Sequence, residues 1–126
     1  MIQKLDTGIV WYLSHPCTSL GKIQENYQAE AQAHMNIMIS QQGEAYYINA
    51  AQNRLKVMRP VTLVPGACGH DEAMEMCLAW LEGCGGIIMA GDWQNSKGCK
   101  IEKEYAQKWG KQVAYYPDIV LAGVEK

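Results

Sequence analysis

Residues 86–102 combine residue types that could bind an anion and place an acid beside it. An apolar run at residues 87–89 predicts a buried strand, and it ends at a Gly-Asp pair that is typical of a tight turn. A polar loop and Gly98 follow, and Glu102 lies in the second turn of the helix that we expect next. The first N–H groups of a helix have no helical partners, so such a junction can bind an anionic ligand. The pattern therefore indicates a nucleotide site with a carboxylate near it.

Two interpretations of Glu102 stay open at the level of sequence. As a functional residue, it would be a nucleophile or a base that faces the ligand. As a structural residue, it would be one of several charges on a solvated helix, beside Lys103 and Glu104. Adjacent residues on a helix do not share a face, so these two neighbours point elsewhere.

The loop before this helix allows two roles that are compatible with each other. Asn95, Ser96 and Gly98 offer an amide, a hydroxyl and unobstructed backbone donors to a phosphate or a sugar. Asn95 or Ser96 could equally cap the helix, because both residue types are preferred there.

A second candidate ligand loop, Ser14-His15-Pro16, follows the first predicted strand. His15 could donate a hydrogen bond to a phosphate or act as an acid, or it could simply be solvated. Tyr12 lies within the strand, where core packing explains it unless its phenol reaches Glu102.

We predict neither a metal nor a cofactor. His70, Asp71 and Glu72 are adjacent, but no second His or Cys follows at a metal-ligand spacing, and capping and solvation explain them. The five cysteines are odd in number and form no C-x-x-C motif, which argues against a disulfide framework or a zinc site. Reduced thiols buried in a cytoplasmic protein are the simplest interpretation.

The length of the chain favours a single domain, and its charge argues against some classes of partner. The 126 residues favour one domain over residues 1–126, with residues 118–126 as a loose tail or an oligomer contact. The net charge is -2 and no basic block occurs, which argues against a nucleic-acid partner. We recognise no secretory leader and no apolar run near the ~20 residues of a membrane span, so we expect a cytoplasmic protein without membrane contact.

The elements that would position these residues alternate between strand and helix. Apolar runs predict strands at residues 9–14, 44–48, 86–90 and 112–116. Three- and four-residue spacing predicts helices at residues 24–40, at 71–82 and from 97 or 98 to 109. Residues 61–64 could be a short edge strand, and residues 50–59 a short helix or an ordered loop.

This alternation predicts an α/β fold, a small Rossmann-like three-layer domain with a mostly parallel sheet of four to five strands. Ligands bind at the carboxyl ends of the strands in such sheets. We therefore expect three loops to meet at one edge: residues 14–21, the stretch after Tyr47, and residues 91–98.

These motifs together resemble those of the nucleoside 2-deoxyribosyltransferase-like superfamily, in particular its small bacterial and phage members of unassigned function. The first strand of that group reads like V-Y-L-A-G-P or V-Y-I-S-H-P, and residues 11–16 here read W-Y-L-S-H-P. The group also shows G-W-x-x-S-x-G-x-x-x-E-x-x-x-A after a strand, which residues 91–106 match with one residue inserted between Gly and Trp. Asn26 fits an asparagine after the first loop, and residues 110–113 fit a G-K-Q-V ending. The resemblance covers about residues 9–116.

The resemblance implies an enzyme in which Glu102 attacks the anomeric carbon of a nucleoside or nucleotide. The base leaves, and the sugar passes from Glu102 to water or to another base. Tyr12 would orient the nucleophile, while Ser96 and Gly98 would hold a 5′-phosphate. The substrate-binding residues implied in this way are Ser14, His15, Pro16, Asn26, Trp93, Asn95, Ser96 and Gly98. Related folds complete their pocket across a homodimer, so a homodimer or higher homo-oligomer is expected.

One position departs from the family pattern. Many active relatives carry an aspartate in the helix before the third strand, where it protonates the leaving base. Cys77 stands at this position, and Asp92 could substitute as a catalytic acid. Three functions therefore stay open: a nucleotide N-glycosidase or deoxyribosyltransferase, a non-catalytic protein that senses or sequesters a nucleotide metabolite, and a structural assembly protein with a vestigial pocket.

Overall fold

Strands and helices alternate along the chain in the computed structural model, which describes residues 3–16, 23–42, 55–64, 69–116 and 118–121. The strands are β1 (Gln3–Leu5), β2 (Val10–Ser14), β3 (Lys56–Met58), β4 (Gly86–Met89), β5 (Gln112–Tyr115) and β6 (Ile119–Leu121). The helices are α1 (Ile23–Gln42), α2 (Pro60–Leu63), α3 (His70–Glu82) and α4 (Lys97–Lys108), and a 3₁₀ turn, Trp93–Asn95, precedes α4. The strand predicted at residues 44–48 and the loops of residues 17–22 and after Tyr47 lie outside the described residues.

Among the described residues, the main sheet has four parallel strands in the order β3-β2-β4-β5, and β1 pairs with β6 in a separate parallel pair. This arrangement confirms the predicted α/β, Rossmann-like fold. Strands β2 and β4 occupy the centre, with Trp11 opposite Gly86 and Ser14 opposite Met89. Gly86 is required by this pairing, because a Cβ atom there would lie 2.5 Å from the ring of Trp11. The absence of a side chain at this position lets the indole lie against the backbone of β4.

Side chains alternate across the sheet and divide the core into two layers. The layer between the sheet and α1 includes the buried residues Trp11, Leu13, Ile37 and Ile88. The layer between the sheet and the pair α3 and α4 includes Tyr12, Leu81, Ile87, Met89 and Ala106. Helices thus cover both faces of the sheet, and the even-numbered positions of β2 face α3 and α4.

The short edge strand predicted at residues 61–64 is wrong, because residues 61–63 belong to the helical turn α2 and Val64 caps its end. Pro60 occupies the start of this turn, where its fixed φ favours helix. The N–H of Val61 donates to Oε2 of Glu30 at 2.6 Å, so a side chain of α1 holds the turn in place. The helix or loop expected over residues 50–59 is also corrected in part, since residues 56–58 form β3 beside β2.

The tail predicted to be loose from residue 118 contains an ordered strand. Residues 119–121 pair with residues 3–5, and Ile119 is buried in the layer beside α1. The sequence pattern missed both strands because each has only three residues and finds its partner at the other end of the chain. The described cysteines, Cys77, Cys84 and Cys99, are free thiols. None of the described helices combines the length and apolarity that crossing a bilayer requires.

Lys111 joins the end of α3 to the start of β5. Its ammonium donates to the carbonyl oxygens of Glu82 at 2.9 Å and Cys84 at 2.7 Å, where a cation also interacts favourably with the helix dipole. We predict that Lys111→Met, which keeps the apolar stem, lowers the free energy of unfolding by about 1–2 kcal/mol in urea denaturation. Lys108→Met changes an exposed lysine of α4 and serves as the control. Equal effects of the two substitutions would contradict the role of Lys111.

Candidate functional site

Glu102 occupies a core position of α4. The buried residues of this helix are Cys99, Glu102 and Ala106, which follow one another at helical spacing along a single stripe. The side chain of Glu102 is 7% exposed, whereas Glu104 on the same helix is exposed. Glu102 is therefore not one of the solvated charges of the helix, and its carboxylate points toward the sheet.

Two hydroxyl groups of β2 hold this carboxylate. The phenol of Tyr12 donates to Oε2, and the hydroxyl of Ser14 donates to Oε1 at 2.8 Å. Tyr12 and Ser14 are two residues apart on a strand, so both side chains point to the face that α4 covers. Both are fully buried. The structure thus brings together Tyr12, Ser14 and Glu102, three of the residues that the sequence singled out.

Burial changes the acid–base properties of this cluster. It raises the pKa of Glu102 to about 7, although the hydrogen bonds from Tyr12 and Ser14 act in the opposite direction. The negative charge of Glu30 also raises the pKa of Glu102. Burial, together with the charge of Glu102, raises the pKa of the Tyr12 phenol, which therefore stays a hydrogen-bond donor. Glu102 can gain or lose its proton near neutral pH, as a base or nucleophile requires.

Each of the two hydroxyls has a thiol as a further neighbour. Cys77 of α3 shares a hydrogen bond with the phenol of Tyr12, and burial raises the pKa of its thiol to about 11. Cys99 shares a hydrogen bond with Ser14, and burial raises its pKa as well. The sequence analysis gave Cys99 no role at the site. Cys99 lies three residues before Glu102, so the two share a helical face. This spacing is the sequence signal that could have placed Cys99 at the site.

His15 and Pro16 meet the turn that follows β4. The N–H of Ala90 donates to the carbonyl oxygen of Ser14 at 3.0 Å, which aligns the two strand ends. Gly91 adopts φ +64°, and a Cβ atom there would lie 2.9 Å from Nε2 of His15 and 3.1 Å from Cδ of Pro16. Two of the three loops expected at the carboxyl edge therefore touch each other beside Ser14.

The loop between Gly91 and α4 is held by its own side chains. Both carboxylate oxygens of Asp92 accept from the amide of Asn95 at 2.9 Å within an exposed turn. Ser96 caps α4, because its hydroxyl accepts from the N–H of Cys99 at 3.3 Å. Asp92 thus uses its carboxylate inside the turn, and the capping role expected for Ser96 is present.

The other predicted binding residues are more spread out. The ring of Trp93 packs on Tyr115 of β5, with a centroid distance of 5.5 Å, and the ammonium of Lys103 lies 4.8 Å above it. Gly98 packs against α3, where an added Cβ atom would lie 3.4 Å from the sulfur of Met74. Asn26 is half-buried in the first turn of α1. Trp93 therefore contributes to the α4–β5 side of the fold, while Gly98 keeps α4 close to α3.

Asp71 and Glu72, considered above as metal ligands, are exposed in the first turn of α3. Within the described ranges, no group of three or more His, Cys, Asp or Glu side chains is placed to hold a metal ion. The chemistry that this arrangement supports is that of a carboxylate oriented by two neutral donors.

Comparison with known families yields one match. A family model described as a domain of unknown function, DUF4406, matches residues 9–115. No curated protein and no solved structure matches the chain. The matched residues run from the start of β2 to the end of β5, so the Tyr12–Ser14–Glu102 cluster lies entirely within them.

The raised pKa of Glu102 makes stability depend on pH. Between the ordinary carboxyl pKa of 4.5 and about 7, the unfolded chain is ionised while the folded protein keeps the proton. The folded state then binds more protons, so the free energy of unfolding falls as pH rises through this window. Glutamine cannot ionise, so its contribution to the free energy of unfolding does not change with pH. We predict that Glu102→Gln stabilises the protein relative to wild type by roughly 3 kcal/mol more at pH 8 than at pH 4.

Urea denaturation at the two pH values measures this difference. Glu104→Gln is the matched control, because it makes the same chemical change at an exposed position of the same helix. A stability difference that is independent of pH for Glu102→Gln, or equal for both variants, would show that the buried carboxyl does not titrate in this window.

Proposed function

We propose that this chain, which belongs to the DUF4406 family, cleaves the N-glycosidic bond of a nucleotide or nucleoside with Glu102 as the nucleophile. The observation that carries the proposal is the buried Glu102 carboxylate held by the hydroxyls of Tyr12 and Ser14. A carboxylate at a core position costs stability unless it has partners, and here the partners orient it without neutralising it. The resemblance to nucleoside 2-deoxyribosyltransferase-like proteins supplies the reaction type.

The reaction proceeds in two displacements at the anomeric carbon of the sugar. In the first, an oxygen of Glu102 attacks this carbon, and the bond to the base breaks with its electron pair moving to the base nitrogen. In the second, water or another base attacks the same carbon and gives up a proton, and the electron pair of the ester bond returns to Glu102. Tyr12 and Ser14 keep the carboxylate in one orientation through both steps.

The start of α4 is suited to an anionic group of the same substrate. The N–H groups of its first turn, including that of Gly98, form the positive end of the helix dipole. Glu102 follows one turn later, about 6 Å along the helix axis. A 5′-phosphate bound at the first turn would place the sugar beside Glu102, so a nucleotide is favoured over a free nucleoside.

A specific observation favours a second candidate function, binding without turnover. In the family that the sequence resembles, many active members carry an aspartate where this chain has Cys77. Its thiol has a pKa of about 11 and contacts Tyr12, which makes it a poor source of a proton for the leaving base. A protein that binds a nucleotide metabolite tightly and returns it intact would fit this alternative.

The resemblance further suggests a homo-oligomer with a small-molecule ligand. The charge and the cysteine pattern of the sequence favour a cytoplasmic protein without a nucleic-acid partner. Trp109, which is 63% exposed, and Tyr115 are large apolar residues at the surface near β5. Aromatic residues of this kind are enriched at protein interfaces.

Release of free base is the direct test of the proposed reaction. We predict that the purified protein releases base from at least one member of a panel of purine and pyrimidine ribo- and deoxyribonucleotides, measured by chromatography at high protein concentration. Glu102→Gln should reduce the rate at least ~100-fold, because it removes the covalent nucleophile. Glu104→Gln should stay close to wild type. Tight binding of a nucleotide that is recovered intact would instead favour the binding function.

The pH profile tests the state of the nucleophile. Glu102 must be ionised to attack, so the acidic limb of the kcat/KM profile should rise with pH and have its midpoint near 7. Tyr12→Phe removes a donor that stabilises the carboxylate and should move this rise to higher pH. Tyr115→Phe changes an exposed tyrosine on β5 and should leave the profile in place. A profile that does not move in Tyr12→Phe would contradict the role given to the phenol.

A further inference from the structure

Departure of a base from the sugar requires a proton, and the groups closest to Glu102 do not supply it well. Burial raises the pKa of the Cys77 thiol, which is also hydrogen-bonded to Tyr12. The phenol of Tyr12 is engaged with Glu102 itself. The carboxylate of Asp92 accepts two hydrogen bonds from Asn95 in an exposed turn. A proton donor must therefore come from elsewhere at the carboxyl edge of the sheet.

His15 is placed at this edge between the two central strands. It follows Ser14, whose hydroxyl contacts Glu102, and its ring lies across the end of β4 against Gly91. The glycine is needed there, because a Cβ atom would come within 2.9 Å of Nε2. His15 is half-buried, so part of the residue is accessible from the solvent.

The surroundings of the ring determine which nitrogen can exchange a proton. Nδ1 lies 3.0 Å from the carbonyl oxygen of Pro16. A carbonyl oxygen only accepts, so Nδ1 carries a hydrogen in both charge states of the imidazole. Nε2 is then the nitrogen that gains and loses the second proton, and it is the nitrogen beside Gly91.

We propose that Nε2 of His15 is the acid that protonates the departing base, an inference that rests on the proposed function. As Glu102 forms the bond to the anomeric carbon, the carbon–nitrogen bond breaks and its electron pair takes the proton from Nε2. Water then attacks the anomeric carbon, its proton passes to Nε2, and the electron pair of the ester bond returns to Glu102. The products are the free base and the sugar, and His15 recovers its proton.

Substrates that differ in their need for this proton test the proposal. A purine or pyrimidine leaves much more readily when it is protonated, whereas 4-nitrophenol leaves readily as a stable anion. His15→Asn keeps an amide donor in the position of Nδ1 for the Pro16 carbonyl and removes Nε2. We expect it to reduce base release at least ~100-fold but to reduce cleavage of the matching 4-nitrophenyl ribofuranoside or deoxyribofuranoside by at most about threefold. Each probe should carry the same 5′ group as the nucleotide that the wild type cleaves.

The outcomes separate this inference from the proposed function. If Glu102→Gln abolishes cleavage of both probes while His15→Asn slows both equally, then Glu102 is the nucleophile and His15 is not the acid. If the wild type cleaves no nucleotide, the proposed reaction fails and the role of His15 fails with it. A selective loss in His15→Asn, shared by His15→Gln, supports the proposal.

Nitrogen-15 NMR of the imidazole provides a readout that does not depend on turnover. The chain has three histidines, and the spectrum of His15→Asn identifies the signals of His15. In its neutral form, the ring should show hydrogen on Nδ1 and none on Nε2. The opposite tautomer would overturn the proposal, since Nε2 would then not be the nitrogen that exchanges the second proton.

Discussion

The hydrogen bonds from Tyr12 and Ser14 to Glu102 connect helix α4 to the central strand of the sheet, and the geometry of the candidate site depends on them. A carboxylate at a core position loses its hydration, which costs several kcal/mol if nothing replaces the water. Two hydroxyl donors replace part of that water. Because they do not replace all of it, the pKa of Glu102 stays raised, at about 7. The same contacts therefore keep α4 on the sheet and leave Glu102 with a charge that changes near neutral pH.

A second buried carboxylate shows what a structural role looks like in the same protein. Glu30 is fully buried, with Oε1 3.4 Å from Nε of Arg59 and Oε2 accepting from the N–H of Val61. A cation and a backbone donor contact this carboxylate, and the backbone contact holds α2 against α1. Glu102 has hydroxyl partners instead, which orient the group without compensating its charge. A carboxylate with a cation and a backbone donor as partners, such as Glu30, has a structural role. A carboxylate with only hydroxyl partners, such as Glu102, can react.

The parallel topology explains how residues far apart in sequence meet at one edge. Each connection between the parallel strands returns the chain to the opposite edge, so the carboxyl ends of β2 and β4 lie side by side. Tyr12 and Glu102 are separated by 90 positions and yet form a hydrogen bond. At the end of β2, Ser14 contacts Glu102 of α4, and His15 lies against Gly91. This edge therefore holds both the carboxylate of Glu102 and the imidazole of His15.

The sequence by itself determined the central strands, the three long helices and the α/β class, because the spacing of apolar residues and the turn residues are local signals. It also identified Glu102, Tyr12, Ser14 and His15 as candidates. It did not predict α2, since the helical turn depends on a contact from Glu30, or the pairing of β1 with β6, which joins opposite ends of the chain. Only the tertiary structure decided that Glu102 faces the sheet and that Cys77 and Cys99 flank its partners. The physical reason is that burial and hydrogen bonding depend on how α4 is rotated against β2, and the charge of a lone residue in a sequence carries no information about that rotation.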